Sequence, residues 1–255
     1  VTGVQTCALP IWSAVEGSSG ALCGPFLRSV IATALKTGEC NACMKRIVAA
    51  PTAGASGVLP AVLLPLQARD GRTDEEMTQA LYVAAGFGQV IASRASISGA
   101  EGGCQAEVGS ASGMAAAALT SLMGGSPAQA AHACAMALSN TLGLVCDPVA
   151  GLVEVPCVNR NVMGAVNALS CAEMALAGVT FPIPCDEVIL LPPGDRGGRP
   201  GGHPHGAESE RDHEGVRGGS HTPCPPRPGM VYYGVPLNTR EKELPVHAAL
   251  CPLQL

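Results

Sequence analysis

Between residues 24 and 177 the chain alternates apolar stretches at helical spacing with short breaks of glycine, proline and small polar residues. Residues 24–39 carry Phe26, Leu27, Val30, Ile31, Ala34 and Leu35 at the three- and four-residue intervals of one helix face. An apolar run at 47–57 breaks into Pro51, Thr52, Gly54, Ser56 and Gly57, and glycine-rich backbone of this kind lets amides approach a bound group. Residues 58–68 are apolar again, forming one helix in spite of Pro60 and Pro65 or two short pieces. Thr73 followed by Glu76 is a capping box, and it opens a helix through Arg94 whose interior Gly86 and Gly88 call for close packing. The pattern breaks over 96–109, where three glycines precede Cys104. Helices are predicted over 111–123 and 127–144, the second started by Ser126, Pro127 and Gln129 as N-cap, first-turn proline and capping-box partner. A last helix is predicted over 159–177, stopped by Gly178. No strand alternation, internal repeat or βαβ succession appears. The predicted fold is all-α, a compact bundle of Ala-rich buried helices with Gly/Pro-rich ligand loops.

Composition sharpens this picture. Hydrophobic residues make up 47% of the 255 and aromatics only 3%, so the core must be built from Ala, Val, Leu and Met. Charged residues are 14%, against about 25% in an ordinary soluble domain. From Val108 to Val145 there is no charged side chain at all. Those two helices are nevertheless too short, and too rich in Ala, Ser, Gln and Asn, for membrane spans. A formal net charge of −5 leaves no basic footprint, so nucleic acid is not an expected partner. Twelve cysteines with no secretory leader in front of them point to a reducing, cytoplasmic setting, where thiols act as ligands or nucleophiles.

The two ends differ from the middle. Residues 1–12 open with VTGVQTCALPI, which resembles translated sequencing-adapter sequence and is set apart from the fold. Between Leu191 and Met230, 18 of 40 residues are Gly or Pro, and five of the six histidines follow position 200. Residues 190–255 therefore read as disordered or as a shifted reading frame, and residues 13–189 as the folded domain.

Three cysteines stand out. Cys134 and Cys171 fall inside apolar helical patterns and read as small buried hydrophobes. The Cys40/Cys43 pair has no second pair and no preceding strand, and so reads as incidental. Cys104, Cys146 and Cys157 instead lie in segments broken by glycine or proline, beside polar residues. Three thiolates are one short of four: a zinc ion with a water, a [4Fe–4S] cluster with one open iron, or incidental thiols all fit the spacing. His132 sits in an apolar helix and reads as a core histidine, while Glu107 could cap the next helix or orient a ligand.

Three stretches carry a family likeness: RIVAAPTAGASGVLPAVL (46–63), SISGAEGGCQAEVGSASGMAAAAL (96–119) and CDPVAGLVEVPCVNRNVMGAVNAL (146–169). They resemble the iron–sulfur L-serine dehydratases, most closely the alpha chain of the two-chain bacterial form, over about 39–188. The resemblance implies a [4Fe–4S] cluster on Cys104, Cys146 and Cys157, and conversion of L-serine to pyruvate and ammonia without pyridoxal phosphate. It also implies a beta chain as partner, and a homo-oligomer is open. Thr52, Ser98 and Gly99, with Arg160 and Asn161, are the candidate substrate-binding residues; no catalytic base can be named. A cysteine desulfidase with similar cluster chemistry, or a non-catalytic Ala-rich membrane or scaffold bundle, are the competing functions.

Overall fold

The computed structural model describes residues 22–145 and 156–190, together with Trp12 and the backbone of Val231–Tyr232. Helix α1 (Pro25–Ala42) leads through a two-residue strand β1 (Val48–Ala49) and a turn at 50–57 into α2 (Val58–Asp70). Helix α3 (Asp74–Arg94) follows, then a short α4 (Gly99–Cys104) that runs through a π-helical turn (Gln105–Gly109) into α5 (Ser110–Leu122). Helices α6 (Pro127–Ser139), α7 (Cys157–Leu176) and α8 (Cys185–Leu190) complete the bundle, and a strand β2 (Val231–Tyr232) pairs in parallel with β1, Val48 opposite Val231. The all-α expectation holds. Among the described residues no helix is long and apolar enough to cross a membrane.

The uncharged stretch is the centre of the molecule. Every residue from Ser110 to Thr120 on α5 is buried, and α2, α3, α6 and α7 pack around it. A helix enclosed on all sides cannot be amphipathic, which is why its sequence shows no polar face. Small side chains set the spacing. A Cβ at Gly164 of α7 would come within 2.7 Å of Val108 and 3.1 Å of Val58, so only glycine allows α7 to lie this close to the bundle. The two polar side chains of α5 that lie deepest are satisfied: Ser112 Oγ donates to the Gly164 carbonyl (2.9 Å) and Thr120 Oγ1 to Ala116 (2.8 Å). Of the two interior glycines of α3, a Cβ at Gly88 would lie 2.8 Å from Met114, the close packing expected, whereas Gly86 faces open space.

Helix starts follow local chemistry closely. Thr73 and Ser126 both form complete capping boxes, with Glu76 and Gln129 returning the hydrogen bond. The segment 58–68 proves to be one helix, extended to Asp70, with Pro65 inside it.

Three boundaries differ from expectation, each beside the candidate site. The break predicted over 96–109 is a helix and a π-turn rather than a loop. Its kink is at Gly103, whose φ of 70° and ψ of −172° suit glycine. Helix α6 ends at Ser139, not 144, because Thr141 Oγ1 donates back to the Leu138 carbonyl (2.8 Å) and Gly143 turns the chain at a φ of 85°. This turn lets the Gln105 amide donate to the Leu144 carbonyl (2.9 Å), while the Gly143 amide donates to Gln105 Oε1 (2.8 Å). Helix α7 begins two residues early, which puts Cys157 on its first turn instead of in a loop.

Candidate active site

The π-turn, the start of α7 and the turn at 50–57 converge. Cys104 ends α4 and is fully buried; Cys157 is 6% exposed. The two sulfurs are hydrogen-bonded, the Cys157 thiol donating to Cys104. From the same first turn of α7, Arg160 Nη1 donates to Cys104 Sγ (2.7 Å) and to the Val145 carbonyl (2.8 Å). The Cys157 hydrogen bond, followed by the Arg160 guanidinium, brings the Cys104 thiol down to about 6, against the opposing effects of burial and the Glu107 carboxylate. Cys104 is therefore a thiolate at neutral pH, and a thiolate is the form that binds metals. Cys146, the third expected ligand, lies outside the described residues, as does the rest of 146–155. Among the described residues no group of three or more His, Cys, Asp or Glu side chains is assembled for a metal ion. The residues present fit a thiolate-bound group: two sulfurs meet, one is ionised, and its charge is balanced by an arginine.

Asn161, the next residue on α7, is 2% exposed and spends its whole amide on backbone. Its Nδ2 donates to the carbonyls of Gly54 (2.7 Å) and Cys157 (2.8 Å), and its Oδ1 accepts from the Gly57 amide (2.8 Å). Asn41 Nδ2 adds a bond to the Ala53 carbonyl (3.0 Å). Asn161 holds the turn from Thr52 to Gly57 against α7 and Asn41 holds it against α1, and a Cβ at Gly57 would lie 2.9 Å from Asn161 Oδ1. Within that turn Thr52 Oγ1 and Ser56 Oγ are enclosed without a hydrogen-bond partner among the described residues. Orphaned buried hydroxyls are uncommon in a folded protein and are what a ligand contact would satisfy. Sequence reasoning singled out Thr52 but passed over Ser56.

Ser98 is the N-cap of α4, yet its side chain makes no capping bond; its amide donates to Ser96 Oγ (3.1 Å). Gly99 beside it meets the turn at Gly54 through Glu107. A Cβ at Gly99 would lie 2.5 Å from Glu107 Oε2, and one at Gly54 would lie 3.0 Å from the same oxygen. Glu107 does not cap a helix, since the π-turn has no side-chain cap. His132 is half-buried on α6 and its Nδ1 accepts from the Phe181 amide (3.3 Å), the partner a core histidine needs. Cys40 is buried near the end of α1 and Cys43 is exposed just past it.

Fold and site together define an all-α protein with a thiolate pocket at a break leading into its central helix. Residues 7–191 match the family described as serine dehydratase alpha chain, and the chain belongs to that family. The match takes in α1 and reaches back into the segment 1–12 that sequence reading set apart. The chain is 58% identical over 172 residues to the probable L-serine dehydratase alpha chain of Bacillus subtilis, covering 68% of this chain and 57% of that protein. It is 55% identical over 164 residues to the probable alpha chain of Latilactobacillus sakei, covering 64% of this chain and 78% of that protein. To the L-serine dehydratase alpha chain of Peptoniphilus asaccharolyticus it is 49% identical over 173 residues, covering 68% and 59%. The chain thus spans under three fifths of the length of two of these relatives.

Proposed function

We propose that this chain is the alpha part of a cytoplasmic L-serine dehydratase, a lyase that converts L-serine to pyruvate and ammonia together with a beta chain. The supporting observation is the buried Cys104 thiolate, paired with Cys157 and held by Arg160, in a chain of this family. Cys104, Cys146 and Cys157 would hold a [4Fe–4S] cluster, whose chemistry when bound is Lewis acidity toward the substrate hydroxyl oxygen. The overall change balances: the β-hydroxyl and the Cα proton leave as water, and the resulting enamine takes water back to give pyruvate and ammonium.

The chain's own residues have separable tasks in this proposal. Arg160 keeps Cys104 ionised and, through Val145, anchors the chain just before Cys146. Asn161 acts by positioning, because its amide is already consumed in fixing the Thr52–Gly57 turn. Thr52 Oγ1, with Ser98 and the Gly99 backbone, would receive the substrate carboxylate, which needs several donors at once. Enclosure of Thr52 Oγ1 keeps competing water away from that donor.

The test is anaerobic reconstitution with iron and sulfide, addition of a beta chain, and assay of pyruvate from L-serine. Bound iron and sulfide that disappear in Cys104→Ala, with pyruvate formation lost in parallel, are the expected results. Sulfide release from L-cysteine without pyruvate from L-serine would replace this function with the desulfidase one, and a chain that takes up no iron would remove both.

A further inference from the structure

Glu107 is the side chain that neither helix packing nor capping explains. It lies on the first turn of the π-helix, three residues after Cys104 and half-buried. Among the described residues its carboxylate makes no hydrogen bond and no ion pair. Arg160, the nearby cation, is engaged with Cys104 and Val145 instead. Glu101, on the same glycine-rich segment, is turned away to Ser96 Oγ (2.6 Å). A half-buried carboxylate with no protein donor leaves its oxygens open to a cationic group of a ligand.

The surroundings are shaped for it. Gly54 and Gly99 come from two different turns, and at each an alanine Cβ would meet Glu107 Oε2, at 3.0 Å and 2.5 Å. Neither glycine has the positive φ that would demand glycine for backbone reasons. What both positions share is contact with this carboxylate. The same two turns carry Thr52 Oγ1, unpartnered and enclosed, and Ser98, whose side chain caps nothing. A negative group and neutral donors thus sit side by side, which suits a zwitterion: donors for its carboxylate and an acceptor for its ammonium.

Resting on the L-serine dehydratase function proposed above, we infer that the Glu107 carboxylate receives the α-ammonium of L-serine, and that Gly54 and Gly99 are glycines because this carboxylate occupies their side-chain space. Glu107 is then a specificity residue: it selects amino acids over hydroxy acids of the same shape.

The experiment compares L-alanine and L-lactate, which differ at Cα only in ammonium against hydroxyl, as competitive inhibitors of the reconstituted enzyme with its beta chain. Calorimetric binding of each is measured alongside, so that the readout does not depend on turnover. The wild-type protein is expected to prefer L-alanine. Glu107→Gln should weaken L-alanine, and raise KM for L-serine, on the order of tenfold to a hundredfold, the range of one charge-assisted contact. Its affinity for L-lactate and its iron and sulfide content should stay unchanged. Gly54→Ala should show the same selective loss, because its Cβ would lie 3.0 Å from the Glu107 carboxylate oxygen and displace it. Equal weakening of both inhibitors, or a fall in kcat with KM and the L-alanine preference intact, overturns the ammonium assignment and leaves the dehydratase function standing. A wild-type enzyme that binds neither L-serine nor L-alanine overturns both.

Discussion

Among the described residues two places bring cysteines together, and they differ in chemistry. Cys104 and Cys157 meet where the π-turn faces α7, with a guanidinium 2.7 Å from the Cys104 sulfur. Cys134 of α6, Cys171 of α7 and Cys185 at the start of α8 meet inside the packed helices. There Cys134 Sγ would sit 3.0 Å from a Cβ at Gly113, and Cys171 Sγ accepts from Asn140 Nδ2 and donates to Asn167 Oδ1, both at 3.5 Å. In the first group the thiol–thiol hydrogen bond, seconded by Arg160, lowers the Cys104 thiol to about 6. In the second, donation to Cys185 followed by burial pushes the Cys134 thiol well up, and burial raises Cys171. Cys185 alone of the three is lowered, by accepting from Cys134. Grouping thiols is therefore not what makes a ligand site. In both groups a thiol–thiol hydrogen bond lowers the accepting sulfur, Cys104 or Cys185, and what only the first group adds is the Arg160 guanidinium on that sulfur.

The most drastic way to break this contrast is to remove one sulfur from each group. Cys104→Ala should abolish cluster assembly, read as bound iron and sulfide after anaerobic reconstitution, whereas Cys134→Ala should assemble the normal amount. Iron retained by Cys104→Ala would place the metal centre elsewhere. Next comes the charge itself. Arg160→Met keeps the side-chain length but removes the cation, and should weaken the hold on the cluster roughly 10- to 100-fold in competition with a chelator. Arg160→Lys should recover only part of this, since its ammonium ends one bond short of the Nη1 nitrogen that serves both Cys104 and Val145.

A gentler probe uses pH. The Cys104 thiol is lowered in the folded iron-free chain, from an ordinary value of 9.0 to about 6. A lowered folded value adds stability above the unfolded value, and that contribution is lost as pH falls through the folded one. Wild type should therefore gain on Cys104→Ser in urea unfolding as pH rises from about 6 to about 9, on the order of 1–2 kcal/mol after solvent screening, and show a constant difference below 6. A gap that narrows with rising pH would contradict the thiolate. The smallest effect belongs to the apolar group: Cys134→Ala should cost about 1 kcal/mol of stability through lost packing, independent of pH between 6 and 8.

Much of the helical frame was legible because its causes are local. The capping boxes at Thr73 and Ser126 are hydrogen bonds across three residues, so the helix starts follow from adjacent side chains. The end of α6 was missed although its causes are near, the Thr141 hydroxyl on the Leu138 carbonyl and the turn at Gly143; what neighbours along the chain do not show is that this turn meets Gln105, 38 residues earlier. The break over 96–109 looked like a loop because glycine is a poor helix former, yet Gly102 is packed so that its Cβ would meet Ala106 at 2.6 Å. Cys104 and Cys157 were picked out by the family motifs and by the breaks around them, while Cys134 and Cys171 were dismissed by their apolar neighbours. Glu107 was weighed as a helix cap, and nothing in the spacing of residues around it announced Gly54 as its neighbour.

By itself, the sequence determined the all-α class, the uncharged central helix, most helix starts and the family. These follow from periodicity, composition and short-range hydrogen bonding, which are properties of neighbours along the chain. Tertiary structure decided which thiol is ionised, which asparagine amide is already spent, and which carboxylate faces the turns of the site. Each of those depends on the field and the empty volume around one atom, supplied by Arg160, Asn161, Gly54 and Gly99 across the fold.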